Sequence, residues 1–194
     1  ATMNCESLEP SPWVRRFAPL VPAGGEVLDL ACGGGRHARL LAGLGHRVEA
    51  VDRDAAALAR LSGVAGVSVR VADLEHAPWP YVGRRFAGVV VANYLHRPLL
   101  PLIEGALADA AVLIYETFMV GNERFGRPSN PDFLLHPQEL LQLAQAAGLR
   151  IVAYEEGETV QPRPAVVQRL CAVRGVAARL PPAVDARPGA GGAF

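Results

Sequence analysis

Short apolar runs alternate with polar stretches that contain glycine and proline along the first 115 residues of the chain. Five of these runs have the length and composition of β-strands, at residues 26–31, 47–51, 67–71, 86–92 and 111–115. Helical patterns separate most of them, at residues 35–45, 54–61 and 99–107. Ser11 before Pro12 predicts the start of one further helix. This alternation predicts an α/β protein with a doubly wound parallel sheet.

The pattern changes after the fifth predicted strand. A long stretch at 117–135 contains several glycines and prolines and is interpreted as a lid over a site. A predicted helix at 137–147 is followed by apolar runs at 149–155 and 165–174. The loop between these runs is too short for a crossover helix, so we predict an antiparallel hairpin. The last strand is therefore expected to be antiparallel in an otherwise parallel sheet.

The end of the first predicted strand carries an acidic residue followed by three glycines. The segment reads Leu28-Asp29-Leu30-Ala31-Cys32-Gly33-Gly34-Gly35, and a predicted helix follows directly. Glycine lets backbone approach a ligand closely, and a helix N-terminus offers free N–H groups. Asp52 closes the second strand, where a carboxylate can accept both hydroxyls of a ribose. This order of features is typical of a βαβ nucleotide site.

Composition narrows the class of protein. The 194 residues carry a formal net charge of +0, so no global charge favours nucleic acid or a membrane surface. All 19 basic residues are arginine, which excludes lysine Schiff-base chemistry and a Walker A loop. No apolar run reaches the ~20 residues of a membrane span. We predict one domain at 1–175 and a disordered Pro-, Gly- and Ala-rich tail at 176–194.

The three cysteines, Cys5, Cys32 and Cys171, are far apart and odd in number. That usage is typical of a reduced protein, so a cytoplasmic location is expected. No metal site is predicted.

The chain resembles the class I S-adenosylmethionine-dependent methyltransferases over residues 11–174. The resemblance depends on the glycine segment, on Asp52, on Asp73-Leu74 after the third strand, and on the terminal hairpin. It implies a seven-stranded, Rossmann-like methyltransferase sheet of order 3-2-1-4-5-7-6 with strand 7 antiparallel. One departure is Asp109-Ala110-Ala111, which stands where family members usually have a Pro-Gly-Gly turn.

A narrower similarity is to small bacterial methyltransferases grouped with tellurite-resistance methyltransferases. Three segments carry it: Tyr94-Leu95-His96-Arg97-Pro98, Tyr115-Glu116-Thr117-Phe118, and Gly126-Arg127-Pro128-Ser129-Asn130-Pro131.

The resemblance implies S-adenosylmethionine as the cofactor. The expected cofactor-binding residues lie after the first four strands, and they are Asp29, Ala31, Cys32, Gly33, Gly34, Gly35, Arg36, His37, Asp52, Arg53, Asp73, Leu74 and Asn93. Asp29 would attract the ammonium group, or cap the following helix. Asp52 would accept the ribose hydroxyls, because Asp54 already serves as the next helix cap.

Other assignments have alternatives that the sequence leaves open. Arg53 could lie along the adenine or in solvent, and Asp73 could accept the adenine amino group or close a turn. Arg36 and His37 could reach the methionine carboxylate or lie at the surface. Cys32 is expected to be a small packing residue.

The expected acceptor-binding residues follow strands four and five, and they are Tyr94, His96, Arg97, Glu116, Phe118, Arg124 and Asn130. His96 is the candidate general base, since histidine titrates near neutral pH, although a structural role is the alternative. Tyr94 could offer its ring face to the sulfonium or belong to the core. Arg97 and Arg124 could hold an acidic acceptor, or pair with glutamates at 116 or 123.

Gly33, Gly35 and Ala38 also fit a G-x-G-x-x-A dinucleotide pattern. The chain is too short for two mononucleotide halves and a substrate domain, and the Asp29 charge favours an ammonium over a pyrophosphate. The function predicted from the sequence is therefore methyl transfer to a small molecule. The alternatives are a cofactor-binding module without catalysis, and an RNA or protein methyltransferase. The neutral charge opposes an RNA acceptor, and Asn93-Tyr94-Leu95-His96 departs from the Asn-Pro-Pro-Tyr motif of amino-nitrogen acceptors.

Overall fold

The computed structural model describes residues 9–182, so Cys5 and positions 183–194 of the predicted tail lie outside it. Seven strands form one sheet in the order β3-β2-β1-β4-β5-β7-β6. They are β1 (Glu26–Leu30), β2 (Arg47–Asp52), β3 (Val67–Val71), β4 (Phe86–Ala92), β5 (Leu107–Phe118), β6 (Arg150–Thr159) and β7 (Ala165–Val173). Strands β1 to β5 are parallel, and β7 is antiparallel to both β5 and β6. The predicted fold and strand order are confirmed.

Five α-helices connect or flank the strands. They are α1 (Pro12–Phe17), α2 (Arg36–Gly43), α3 (Ala55–Ala59), α4 (Leu100–Gly105) and α5 (Glu139–Ala146). The Ser11 hydroxyl accepts the Trp13 N–H at the start of α1, as the Ser-Pro pair predicts. The Asp54 carboxylate caps α3 by accepting the backbone N–H groups of two residues in its first turn, at 2.9 and 3.0 Å.

Both faces of the sheet are covered, because alternate residues of the central strands point to opposite sides. Val89 and Val91 of β4 pack in the cluster that includes α4 and α5 residues. Val90 packs in the opposite cluster with residues of α1, α2 and α3. The nearly all-apolar β4 is therefore buried on both sides, as its sequence predicts. Among residues 9–182, none of the helices has the length and apolar composition that a membrane span requires.

The boundaries of β5 differ from the prediction. The helix predicted to reach residue 107 ends at Gly105, and β5 begins at Leu107 and extends to Phe118. Leu107 pairs with Phe86, after which the register shifts before Val112 pairs with Gly88. The alanine-rich start of β5 is compatible with a helix or a strand in sequence, and it forms a strand here because it pairs with β4. The predicted irregular stretch consequently starts later, at residue 119.

Candidate active site

The loop between β1 and α2 lies at the carboxyl edge of the parallel strands. Ala31, Gly33 and Gly35 all have left-handed backbone, with φ of 52°, 53° and 77°. Gly35 precedes α2, and a Cβ atom at this position would overlap the buried Leu61 side chain. Glycine is therefore favoured at 33 by its backbone conformation, and at 35 by both its backbone conformation and close packing. The result is a tight loop that leads into a helix N-terminus, as the sequence predicts.

Asp52 bridges this loop to the start of the next helix. Its Oδ2 accepts the Gly33 N–H at 2.8 Å, and its Oδ1 accepts the Asp54 N–H at 2.9 Å. The carboxylate is partly buried, and each oxygen retains a further lone pair. Asp52 is thus held beside the glycine loop by two backbone donors, and it can still accept hydrogen bonds from a ligand.

Asp29 lies beneath the same loop and is 1% exposed. It shares a sheet face with Val27, two residues earlier, and this face is covered by α2. The Ala38 N–H donates to the carboxylate, so the predicted helix-capping role is present. Its Oδ2 is buried and has no hydrogen-bond partner among residues 9–182.

Burial raises the pKa of Asp29 from 3.8 to about 7. The Asp52 charge adds to this rise, whereas the Ala38 N–H and the Arg36 charge oppose it. An incoming cation would stabilise the ionised carboxylate, because it would supply the partner that Oδ2 lacks.

His37 is buried in the first turn of α2, where its Nε2 accepts the Ser11 N–H at 3.0 Å. Burial lowers the pKa of His37 to about 3, and the neighbouring Arg36 charge adds to that effect. The ring is therefore neutral and ties α2 to α1, so His37 is not at the surface. Arg36 donates to the Glu9 carbonyl at 3.4 Å. Burial raises the pKa of the Cys32 thiol, as do the two nearby carboxylates, so Cys32 stays protonated.

The residues after β3 form a turn. Asp73 Oδ1 accepts the N–H groups of Glu75 and His76, and Oδ2 lies 3.0 Å from His76 Nδ1. These hydrogen bonds hold the pKa of Asp73 below its ordinary value. The structure thus contains the turn that the sequence offered as the alternative role of Asp73. Leu74 is buried in the core, and Arg53 is exposed.

The segment after β4 begins with Asn93, which is exposed and has left-handed backbone at φ 56°. The Tyr94 hydroxyl donates to Glu75 Oε1 at 3.3 Å, and the buried Tyr115 hydroxyl donates to the Tyr94 carbonyl at 2.9 Å. Burial raises the pKa of Tyr94, and Glu75 adds to the rise. The Tyr94 phenol therefore stays protonated. The sequence indicated neither Glu75 nor the link from Tyr115.

Arg97 donates four hydrogen bonds to other parts of the protein. It forms a bidentate ion pair with Glu139 at 2.7 and 2.9 Å, and donates to the carbonyls of Asp132 and Leu134 at 3.0 and 2.9 Å. The sequence left open a pairing with a glutamate at 116 or 123, and the partner is instead Glu139, 42 residues away on α5. Arg97 therefore fastens the 119–135 segment and α5 to the end of β4. Neighbouring His96 is partly buried and lines an adjacent cavity.

The other predicted acceptor-binding residues do not gather around one point. Glu116 pairs with Arg169 at 3.3 Å, and Arg124 pairs with Glu158 at 3.3 Å, in place of the pairings considered from sequence. Phe118 is buried in a small cluster with Leu134 and Ala165. Asn130 Oδ1 accepts the N–H of residue 132 and begins a short 3₁₀ turn.

Two buried polar residues that sequence reasoning missed hold the 119–135 segment on β7. Asn122 is 2% exposed, donates to the Pro128 carbonyl and accepts the Val166 N–H. Gln168 is fully buried, donates to the His136 carbonyl and accepts the Leu140 N–H. Asn122 thus anchors the 119–135 segment to β7, and Gln168 anchors the residues that follow it. Among residues 9–182, no cluster of three or more acidic, histidine or cysteine side chains could hold a metal ion.

Comparison with known proteins relates part of this chain to one family. Residues 27–114 match the family described as "Methyltransferase domain". A search of curated proteins found no match to this chain.

Three solved structures share the fold. TehB from Haemophilus influenzae has a TM-score of 0.68 and 18% identity, over 83% of this chain and 61% of that one. A SAM-dependent methyltransferase from Archaeoglobus fulgidus has a TM-score of 0.65 and 16% identity, over 83% and 91%. A TehB-like SAM-dependent methyltransferase from Corynebacterium glutamicum has a TM-score of 0.60 and 19% identity, over 84% and 89%.

The sheet has the strand order of the Rossmann-like methyltransferase fold that these solved structures share, and the family match covers residues 27–114. The chain spans 61% of the length of TehB.

Proposed function

We propose that this protein transfers the methyl group of S-adenosylmethionine to a small molecule bound at the carboxyl edge of the sheet. The observation that carries the proposal is the position of Asp52. Two backbone donors hold its carboxylate beside the glycine loop, and both oxygens can still accept ribose hydroxyls.

Asp29 fits the other end of the cofactor, which carries the ammonium group. Its buried Oδ2 has no partner among residues 9–182, and an ammonium group, directly or through water, would satisfy that oxygen. The cofactor when bound supplies a methyl group on a sulfonium, from which the thioether is a good leaving group. The residues of the protein then have to align the acceptor and exclude water, and good alignment contributes ~7–11 kcal/mol to lowering such a barrier.

The small size of the acceptor is inferred from the space beside His96. A cavity of about 320 Å³ opens there, which suits a small molecule. His96 is the candidate base in this proposal, and Tyr94, whose hydroxyl is held by Glu75, is the candidate contact to the methyl-donating end. A cytoplasmic location is part of the proposal, since the two cysteines within residues 9–182 are both unpaired.

The test of cofactor binding compares Asp52→Asn with Asp54→Asn. An asparagine at 52 presents one amide N–H₂ toward a backbone donor and loses the charge, so affinity for S-adenosylmethionine should fall about 10- to 100-fold, as for ~1.5–3 kcal/mol. An asparagine at 54 keeps a cap for α3, so that variant is the matched control.

Calorimetry with S-adenosylmethionine and S-adenosylhomocysteine measures both variants. If Asp52→Asn and Asp54→Asn bind S-adenosylmethionine with equal affinity, Asp52 is not part of the cofactor site. Transfer of labelled methyl to a small-molecule panel then tests the reaction, and binding without transfer to any acceptor would contradict the enzymatic proposal.

A further inference from the structure

The cavity beside His96 has a partly apolar lining. It opens between the turn after β4 and the end of the 119–135 segment, and is lined by Leu95, His96, Arg97, Pro98, Asp132 and Phe133. Three of these residues are apolar, and the Phe133 ring is 45% exposed. The cavity therefore offers an apolar surface for one part of a ligand.

The positive charge at this cavity is already neutralised. The Arg97 guanidinium forms two hydrogen bonds with the Glu139 carboxylate and two with backbone carbonyls. These bonds leave one Nη1 N–H, so a ligand carboxylate could form a bidentate pair with Arg97 only by displacing Glu139. Since the Arg97–Glu139 pair is bidentate, that exchange is unfavourable.

The negative charge of Asp132 remains available. Its backbone groups bond to Arg97 and Asn130, but its carboxylate has no hydrogen-bond partner among residues 9–182. Arg97, Glu139 and Asp132 together carry a net charge of about −1, and the His96 ring is also without a partner in that part of the chain. The unpaired groups that face a ligand are thus one carboxylate and one imidazole.

We propose that this cavity binds the methyl acceptor and selects a small primary or secondary amine that carries an apolar or aromatic group. The apolar group packs on Phe133, and the ammonium lies toward Asp132. This inference rests on the proposed methyltransferase function and names the class of acceptor.

The chemistry of such an acceptor is balanced. The ammonium first gives one proton to His96 or to solvent, and the freed nitrogen lone pair forms the bond to the methyl carbon while the carbon–sulfur bond breaks with its electron pair on sulfur. The products are a methylated ammonium and the neutral thioether, S-adenosylhomocysteine. An aliphatic amine has a localised lone pair once deprotonated, so it does not require the Asn-Pro-Pro-Tyr motif that this chain lacks.

A second cavity of about 530 Å³ lies on the other side of Phe133 and contains Arg127. Arg127 has no ionic partner among the residues that the structure describes, so a carboxylate would be drawn there. A carboxylate with the same aromatic group as the amine therefore tests whether the ligand is drawn to Arg127 or to Asp132.

The experiment measures equilibrium binding to the full chain saturated with S-adenosylhomocysteine. The probes are 2-phenylethylamine, 2-phenylethanol and 3-phenylpropionate, which share the aromatic group and differ in charge. We expect the amine to bind at least about threefold more tightly than either of the others. Asp132→Asn should remove that preference, and Asp109→Asn, at an exposed position near the amino end of β5, should retain it.

Labelled methyl transfer to 2-phenylethylamine, with the product mass rising by one methyl group, supports the same conclusion. Equal binding of the three probes, or tighter binding of 3-phenylpropionate that Arg127→Gln abolishes, would overturn the amine assignment while leaving the methyltransferase proposal intact. Failure of S-adenosylhomocysteine itself to bind would instead overturn the proposed function. A preference for the amine that persists in Asp132→Asn would show that the cavity beside His96 is not the site.

Discussion

Replacing Asp29 with asparagine should change how the stability of this protein depends on pH. Asp29 is buried beneath the glycine loop, and burial raises its pKa from 3.8 to about 7. The native state therefore holds this proton more tightly than the unfolded chain does. Between those two pKa values the native state binds more protons, so the free energy of unfolding falls as pH rises through that window.

The size of the effect follows from the difference in pKa. A shift of about three units at ~1.4 kcal/mol per unit gives a loss of about 4 kcal/mol on going from pH 4 to pH 8. Asparagine cannot ionise, so the variant lacks this loss. Its amide nitrogen takes the place of an unpaired oxygen and stays unpaired, at a cost of ~1–3 kcal/mol that does not depend on pH.

The assay is urea unfolding of the ligand-free protein at several pH values from 4 to 8. We expect Asp29→Asn to be less stable than the wild type at pH 4 and more stable at pH 8, because other titrating groups contribute equally to both proteins. Asp109→Asn, which alters an exposed aspartate, is the control and should follow the wild-type curve. Parallel curves for wild type and Asp29→Asn would refute the reasoning.

Three further substitutions test the surroundings of the site. Gly35→Ala should destabilise the protein by ~2–4 kcal/mol in thermal unfolding, because φ is 77° and the new methyl group overlaps Leu61; a loss below ~0.5 kcal/mol would contradict that packing. A double-mutant cycle of Arg97→Ala and Glu139→Ala should give a coupling energy of ~1–3 kcal/mol in the free energy of unfolding. Additive effects of the two substitutions would mean that this ion pair does not hold the 119–135 segment in place. Asn122→Ala should cost ~1–3 kcal/mol and speed proteolysis within residues 119–135, and unchanged cleavage would exclude Asn122 as the anchor of that segment.

The fold could be predicted from the sequence because its determinants are local. Alternation of apolar residues identifies each strand, and a strand such as β4 with no polar residue must be covered on both faces. Parallel strands bring their carboxyl ends to one edge, so residues that close β1 and β2 meet there without any knowledge of side-chain contacts. The proximity of Asp52 to the glycine loop follows from that topology.

The partners of the charged side chains were decided by tertiary structure alone. Arg97 pairs with Glu139 at a separation of 42 residues, and Glu116 with Arg169 at 53, and neither distance has a periodicity that a sequence could show. The sequence does not distinguish an arginine that is free to bind a substrate from one that is already paired with a glutamate. Burial of Asp29 is likewise a property of the packed helix above it, and this is why the pKa of that carboxyl is set by the fold and not by its motif.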